Sequence, residues 1–299
     1  MQIKAADDRQ PDLDVLAALL ERPDLDGRAR RDVQSEMRRI RAGVAGEREA
    51  AYEIEFHSGA HRGRATIHDL RLNLDGRSAQ MDHLLINRLL DIWVLESKHF
   101  AEGVAINDHG EWTGFSGGRA YGMASPIEQN RRHVVVLEEV FATGLVTLPK
   151  RLGIAIRPRI RPLVLVSSKA RINRPRSKAA QARVEGLGTV IKADQLAVTI
   201  DRDLGTRRLS EIAQLVSEDT VQRIGRDLAA LHRPISRDWA ARFGLPTTLV
   251  QAGPGISSTD ATLICAACGT RVSAAVIAYC EAHAERFAGR TLCYGCQRP

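Results

Sequence analysis

The sharpest hydrophobic pattern in the chain lies just after Asp82. One branched apolar run ends at Asn87-Arg88, and a second, Ile92 to Leu95, delivers Glu96-Ser97-Lys98. Runs this short and this apolar read as buried strands. Residues i and i+2 of a strand face the same side, so Glu96 and Lys98 project together and Ser97 is expected to turn away. A hairpin between the runs would bring Asp82 back beside that pair. Ala65 to Leu74 alternates as a third strand, and Asp75-Gly76 is a turn signal. Upstream, residues 27–56 read as one long helix with a break expected near Gly43, and Val15 to Leu20 as a short helix before Pro23.

Downstream, Val104 to Ile106 and Glu111 to Thr113 read as flanking strands in a glycine-rich stretch. Ser125 fits an N-cap and Pro126 the first position of a helix reaching about Thr143. Arg161 to Ser168 is a clear buried strand, Thr189 to Ile191 a short edge strand, and residues 194–204 and 209–231 are helical. Residues 233–262 carry Pro234, Pro246, Gly253, Pro254 and Gly255, the composition of a linker, with Trp239 and Phe243 one helical turn apart as a docking segment. The expected organisation is a helical segment 1–40, a core domain 41–232, a linker 233–262 and a small domain 263–299.

All five cysteines fall in that last part. Cys265-x-x-Cys268 and Cys293-x-x-Cys296 are two knuckles with 24 residues between them. Thiolates so spaced can hold one Zn²⁺ tetrahedrally, and a domain this small needs such a centre to fold. Gly269 and Gly295 suit the tight turns of the knuckles. Cys280 and His283 lie on an expected helix 273–286 and are alternative ligands, with burial the simpler role for Cys280. Thiols gathered in one tail argue for metal over disulfides and for a reducing, cytoplasmic setting. No apolar stretch approaches the ~20 residues that span a bilayer.

The formal charge of +7 favours a polyanionic partner. Arg28, Arg30, Arg31, Arg38, Arg39 and Arg41 make the long helix basic at its start, and residues 169–183 are densely basic as well. Both are candidates for phosphate contact. Aromatic residues are only 4% of the chain, so base stacking is not expected as a strong theme.

Two carboxylates and an ammonium at one sheet end suit a hard divalent cation, Mg²⁺ or Mn²⁺. Taken with their surroundings, these residues resemble the PD-(D/E)xK nuclease core, and more narrowly the nuclease-related domain called NERD. The pieces that carry the resemblance are Gly43-x-x-Gly46-Glu47, Gln80-x-Asp82-His83, Glu96-Ser97-Lys98, Trp112 and Pro126-x-x-Gln129-Asn130, in that order. The resemblance implies an α/β fold, a mixed central sheet flanked by helices, with a small zinc-ribbon-like domain appended. It implies Asp82, Glu96 and Lys98 as catalytic positions, with Asp82 and Glu96 holding Mg²⁺. Glu47 would be a further carboxylate, with Glu49 its competitor, and Gln129 would bond phosphate or water. Ser97 stands where the family more often shows Thr. His83 is expected to be structural. The function expected is metal-dependent hydrolysis of DNA, the zinc module gripping nucleic acid through Arg271, Arg286 and Arg290 or recruiting a protein. The alternative is a binding protein on a silent nuclease fold.

Overall fold

The computed structural model describes residues 1–58, 61, 63–205 and 215–245, and further on 265–268, 272, 280, 284–287, 289–293 and 296–297. The chain divides into two compact units, Met1–Thr247 and Thr248–Pro299. The first runs β1 (Gln2–Lys4), α1 (Gln10–Leu20), α2 (Gly27–Ser58), β2 (Arg64–Leu74), β3 (Arg77–Asn87), β4 (Asp91–Lys98), β5 (Gly103–Ile106), β6 (Trp112–Ser116) and β7 (Arg119–Met123). It continues with α3 (Pro126–Ala142), β8 (Lys150–Arg151), β9 (Ile154–Ala155), β10 (Arg159–Val166), β11 (Arg171–Asn173), α4 (Lys178–Arg183), β12 (Val190–Lys192), α5 (Leu196–Gly205), α6 (Glu218–Ala230) and α7 (Trp239–Arg242).

The main sheet has the order β1-β2-β3-β4-β10-β12. Its centre is antiparallel, β2 to β3 to β4, and β1, β10 and β12 add to it in parallel. This is the mixed α/β architecture expected. Asp75 and Gly76 are both left-handed, with φ of 48° and 75°, which makes the tight turn between β2 and β3. At the next turn the Asn87 carboxamide oxygen accepts the N–H groups of Leu89 and Asp91, each at 2.9 Å, so Asn87 ends one apolar run and starts the next. Pro162 lies on β10 before pairing with β12 begins at Val164, where a missing N–H costs nothing. A second sheet, β11-β5-β6-β7, stands apart from it.

Strand alternation divides the core. Leu84, Ile86, Ile92 and Val94 pack with α3 and α6 on one face. Leu85, Trp93 and Leu95 pack with Ala50 and Ile54 of α2 and Leu196 and Ile200 of α5 on the other. Both faces are covered, which is why these strands read as continuous apolar runs. α3 begins as expected, with the Ser125 hydroxyl accepting the Glu128 N–H and Pro126 in its first turn.

α2 runs unbroken through Gly43 and Gly46, which corrects the break expected there. Gly46 serves close approach instead: a Cβ on it would come within 2.7 Å of His99 Cβ. Helix propensity loses about 1 kcal/mol at such a glycine, and packing repays it. β1 was not expected; it is too short to show a period, and it is held by the Thr66 N–H on the Met1 carbonyl. The segment from 233, read as linker, carries α7. Trp239 is buried against Leu16, Val33, Met37 and Ile40, and its indole N–H donates to Asp12 at 2.7 Å. The basic segment 169–183 is partly built into the fold: β11 pairs with β5, and the Arg174 guanidinium donates to the Val190 carbonyl at 2.6 Å. No helix among the described residues is long and apolar enough to cross a membrane.

Candidate active site

A cavity of about 460 Å³ opens at the end of β3 and β4, walled by α2 and by the start of α3. Glu47, Asp82, Glu96, Lys98 and Gln129 all line it. Their convergence follows from register. β3 and β4 are paired as far as His83↔Leu95, so Asp82 and Glu96 stand opposite each other one step past the last rung. Glu96 and Lys98 do share a side, and Lys98 Nζ donates to Glu96 Oε1 at 2.5 Å.

Ser97 does not turn away from the site. Its N–H and its hydroxyl both donate to Asp82 Oδ2, at 2.7 and 2.8 Å. The ladder has stopped, so the Ser97 N–H has no β3 carbonyl to meet, and the Asp82 carboxylate takes that place. Glu49, the competitor of Glu47, is engaged elsewhere: it accepts the Ser168 N–H at 2.9 Å.

Burial, then the charge of Asp82, pushes Glu47 up to about 7 and Glu96 up to about 8. Asp82 is raised by burial as well, against the opposing pull of Lys98. Burial pulls the Lys98 ammonium down, but Glu96, Asp82 and Glu47 outweigh it and hold it charged. Three crowded carboxylates thus share one ammonium. Glu96 is 1% exposed and its Oε2 has no hydrogen-bond partner among the described residues. Its neighbour at 3.4 Å is Nδ1 of His133, whose pKa burial and then Lys98 lower to about 4, so the ring is neutral. An unpartnered buried carboxylate oxygen beside two further carboxylates fits a hard divalent cation.

Two further residues serve this end of the sheet. Asp69 is left-handed, φ 52°, in the middle of β2 and stands opposite Asp82, where the register passes from His68↔His83 to Leu70↔Met81. Its Oδ1 accepts the Gln80 amide at 2.7 Å, and Gln80 lines the cavity. Asn130, next to Gln129, is buried, and its amide nitrogen reaches the carbonyls of Val94 and Leu163, both at 2.9 Å.

Residues 42–167 match the model of the nuclease-related domain, NERD. The first unit carries a NERD domain. No curated protein and no solved structure matches the chain. Membership of the PD-(D/E)xK superfamily is consistent with that domain. Within NERD the quoted motif residues divide into two jobs. Gly43, Gly46, Glu47, Gln80, Asp82, Glu96, Lys98 and Gln129 line the cavity, Gly46 also letting His99 approach α2, whereas Trp112 and Asn130 hold the elements together. His83 is of the second kind: its Nδ1 lies 2.7 Å from His68 Nδ1, away from the carboxylates. Ser97, Asp69 and His133 were missed as contributors to the site. The chain offered no signal for Asp69, because backbone handedness leaves no mark on the hydrophobic pattern.

In the second unit Cys265, Cys268, Cys293 and Cys296 bring their sulfurs within 4.8 Å of one another, so they could hold a zinc ion. Among the described residues no other group of three or more potential ligands gathers so tightly. The turn at the second knuckle is closed by the Cys296 N–H on the Cys293 carbonyl at 2.9 Å. A backbone N–H from Cys293 helps draw the Cys265 thiol down to about 6. Neighbouring sulfurs, Cys268 first, push Cys296 up to about 12. Four thiolates would need a cation to coexist there. Cys280 is buried and bonded to Leu292, donating to its carbonyl and accepting its N–H, outside the quartet. His283, Gly269, Gly295, Arg271 and most of the expected helix 273–286 lie outside the described residues.

Proposed function

We propose that this protein is a metal-dependent nuclease that hydrolyses phosphodiester bonds in DNA, with a zinc module that aids nucleic-acid binding. The observation that carries the reading is the convergence of Glu47, Asp82, Glu96 and Lys98 on one open cavity in a nuclease-related domain. Asp82 and Glu96, with Glu47 beside them, would hold Mg²⁺ or Mn²⁺, and such an ion supplies Lewis-acid polarisation of the phosphodiester and lowers the pKa of water. Ser97 fixes one oxygen of Asp82 and leaves the other to the cavity. Lys98, kept charged by the acids, orients the attacking water and balances charge that grows on the phosphoryl oxygens. The Gln129 amide faces the same space and can hydrogen-bond a phosphate oxygen.

In this reading the nuclease core spans 41–232 and the zinc module 263–299. The zinc is structural, held by Cys265, Cys268, Cys293 and Cys296, and a reducing cytoplasm keeps those thiols free to bind it. The test is incubation of the purified protein with supercoiled plasmid and with linear single strands, in Mg²⁺ or Mn²⁺, beside Lys98→Ala. Nicking or degradation by the parent protein alone is expected. Binding by both with cutting by neither would move the function to a DNA-binding protein on a silent fold.

A further inference from the structure

A second cavity, about 780 Å³, lies along the other flank of α2. Glu47 lines both it and the carboxylate cavity. Along the helix its wall also includes Arg41, Arg48, Tyr52 and Glu55, and the segment Asp7–Arg9 and His83 line it too. Tyr52 is 65% exposed and Phe56, one turn further, 68% exposed. Their rings stack on one another with centroids 5.9 Å apart and 28° between planes, and His57 meets Phe56 edge-on at 5.0 Å. In a chain this poor in aromatics, two exposed rings in register on one helix face form a platform.

The charges around this platform are unevenly used. Asp7 is paired with Lys4 and His232, and Glu55 takes the Thr66 hydroxyl and faces His68. Arg41 and Arg48 are exposed, and no carboxylate of the described residues pairs with either. The helix therefore presents two free guanidinium groups beside a stacking surface, and the carboxylate cavity is a short step away. From Glu47 to Tyr52 is about 7.5 Å along the axis, and to Phe56 about 13.5 Å.

We propose that this flank of α2 is the track for an unpaired nucleic-acid strand, bases stacking on Tyr52 and Phe56 and phosphates meeting Arg41 and Arg48. The inference rests on the nuclease reading and deepens it. A duplex keeps its base faces inside the helix and offers this platform nothing to cover. A single strand exposes them, and stacking on aromatic rings with cations at the backbone is how such strands are held without regard to sequence. The substrate is then a strand end, flap or gap, and the scissile phosphate enters past Glu47.

The experiment is fluorescence anisotropy on the full chain, with no divalent metal added, using a labelled single-stranded DNA 15-mer and a blunt duplex containing the same sequence. Tyr52→Ala/Phe56→Ala is expected to weaken single-strand binding about tenfold or more and to leave the duplex within about twofold. Tyr52→Phe/Phe56→Tyr keeps both rings and should restore the affinity. Arg41→Ala/Arg48→Ala should lower the slope of log affinity against log salt by about 1.4 for two lost phosphate contacts. Equal losses on both DNAs, or none, overturn the track. So does a change in sedimentation of the free protein on removing the rings, which would mark the platform as a contact between copies. Binding is read without cleavage. A protein that binds strands through these rings but never cuts sinks the nuclease reading alone, and one that cuts single strands with unchanged KM after their removal sinks the track alone.

Discussion

The carboxylate cavity and the cysteine quartet are both clusters of potential metal ligands, and they are built in opposite ways. The carboxylates come from α2, β3 and β4, elements fixed by a sheet with core on both faces. They are hard and crowded, burial raises the pKa of each, and the fold holds them together against their mutual repulsion. The thiols come from two short knuckles in the second unit, Cys265-x-x-Cys268 and Cys293-x-x-Cys296. There a bound metal would bring the chain together. In the first region structure creates the site, and in the second a bound metal would create the structure, so loss of metal should have different consequences in each.

The largest effect tests the first half. Lys98→Ala should lower cleavage by at least about 10²-fold, with thermal stability and DNA affinity close to those of the parent. A melt that collapses together with activity would show that the ion pair holds the fold, and the contrast would fail. The second half is tested by metal removal. A zinc chelator, or Cys268→Ser/Cys293→Ser, should make residues 263–299 sensitive to protease and leave the first unit's melting transition in place. Loss of both units together would erase the distinction.

A smaller effect sharpens the account of the cavity. Ser97→Ala removes the hydroxyl bond to Asp82 and keeps the backbone one. Partners that orient a metal-ligating carboxylate typically matter by about 10–100-fold, and the lower end is expected in Mg²⁺-dependent cleavage. Ser97→Thr should retain activity, because the hydroxyl remains.

The smallest effect lies in the core behind the site. Burial holds His68 below its ordinary value of 6.5, although Glu55 pulls the other way. The folded state therefore prefers the neutral ring. Its contribution is fully present above pH 6.5 and is lost as pH falls toward the lower folded value. Glu47 and Glu96, raised by burial, favour the folded state as pH falls, so the His68 share is read as a difference: between pH 7.5 and 5.5 the parent should lose melting temperature relative to His68→Asn. An unchanged slope in the variant would place the acid sensitivity elsewhere.

What could be read from the chain follows the same division. Asp82, Glu96 and Lys98 were legible because two-residue alternation and a hairpin are enough to bring them to one end. Ser97 was misread by that same rule: it stays paired with Leu165 of β10, but on its other side the pairing with β3 has ended, and its N–H and hydroxyl both reach the Asp82 carboxylate. Gly43 and Gly46 suggested a break because propensity is local, while the approach of His99 to Gly46 is tertiary. Trp239 was legible as a docking residue, but its prolines and its distance in sequence from Leu16 hid where it docks. The cysteine quartet needed only spacing. The stacked rings of Tyr52 and Phe56 were discounted on composition, which counts aromatic residues but does not say which of them face water.

Asn130 has one more consequence. Its single amide nitrogen touches carbonyls on two adjacent parallel strands, β4 and β10, from a helix that lies across them. That contact works as a gauge block. It sets how far α3 is inserted, and the preceding residue, Gln129, inherits that depth relative to Glu96. A slip of α3 by one residue would break both bonds and withdraw Gln129 from the cavity together. The reach of Gln129 into the cavity is therefore set from behind, at a buried position.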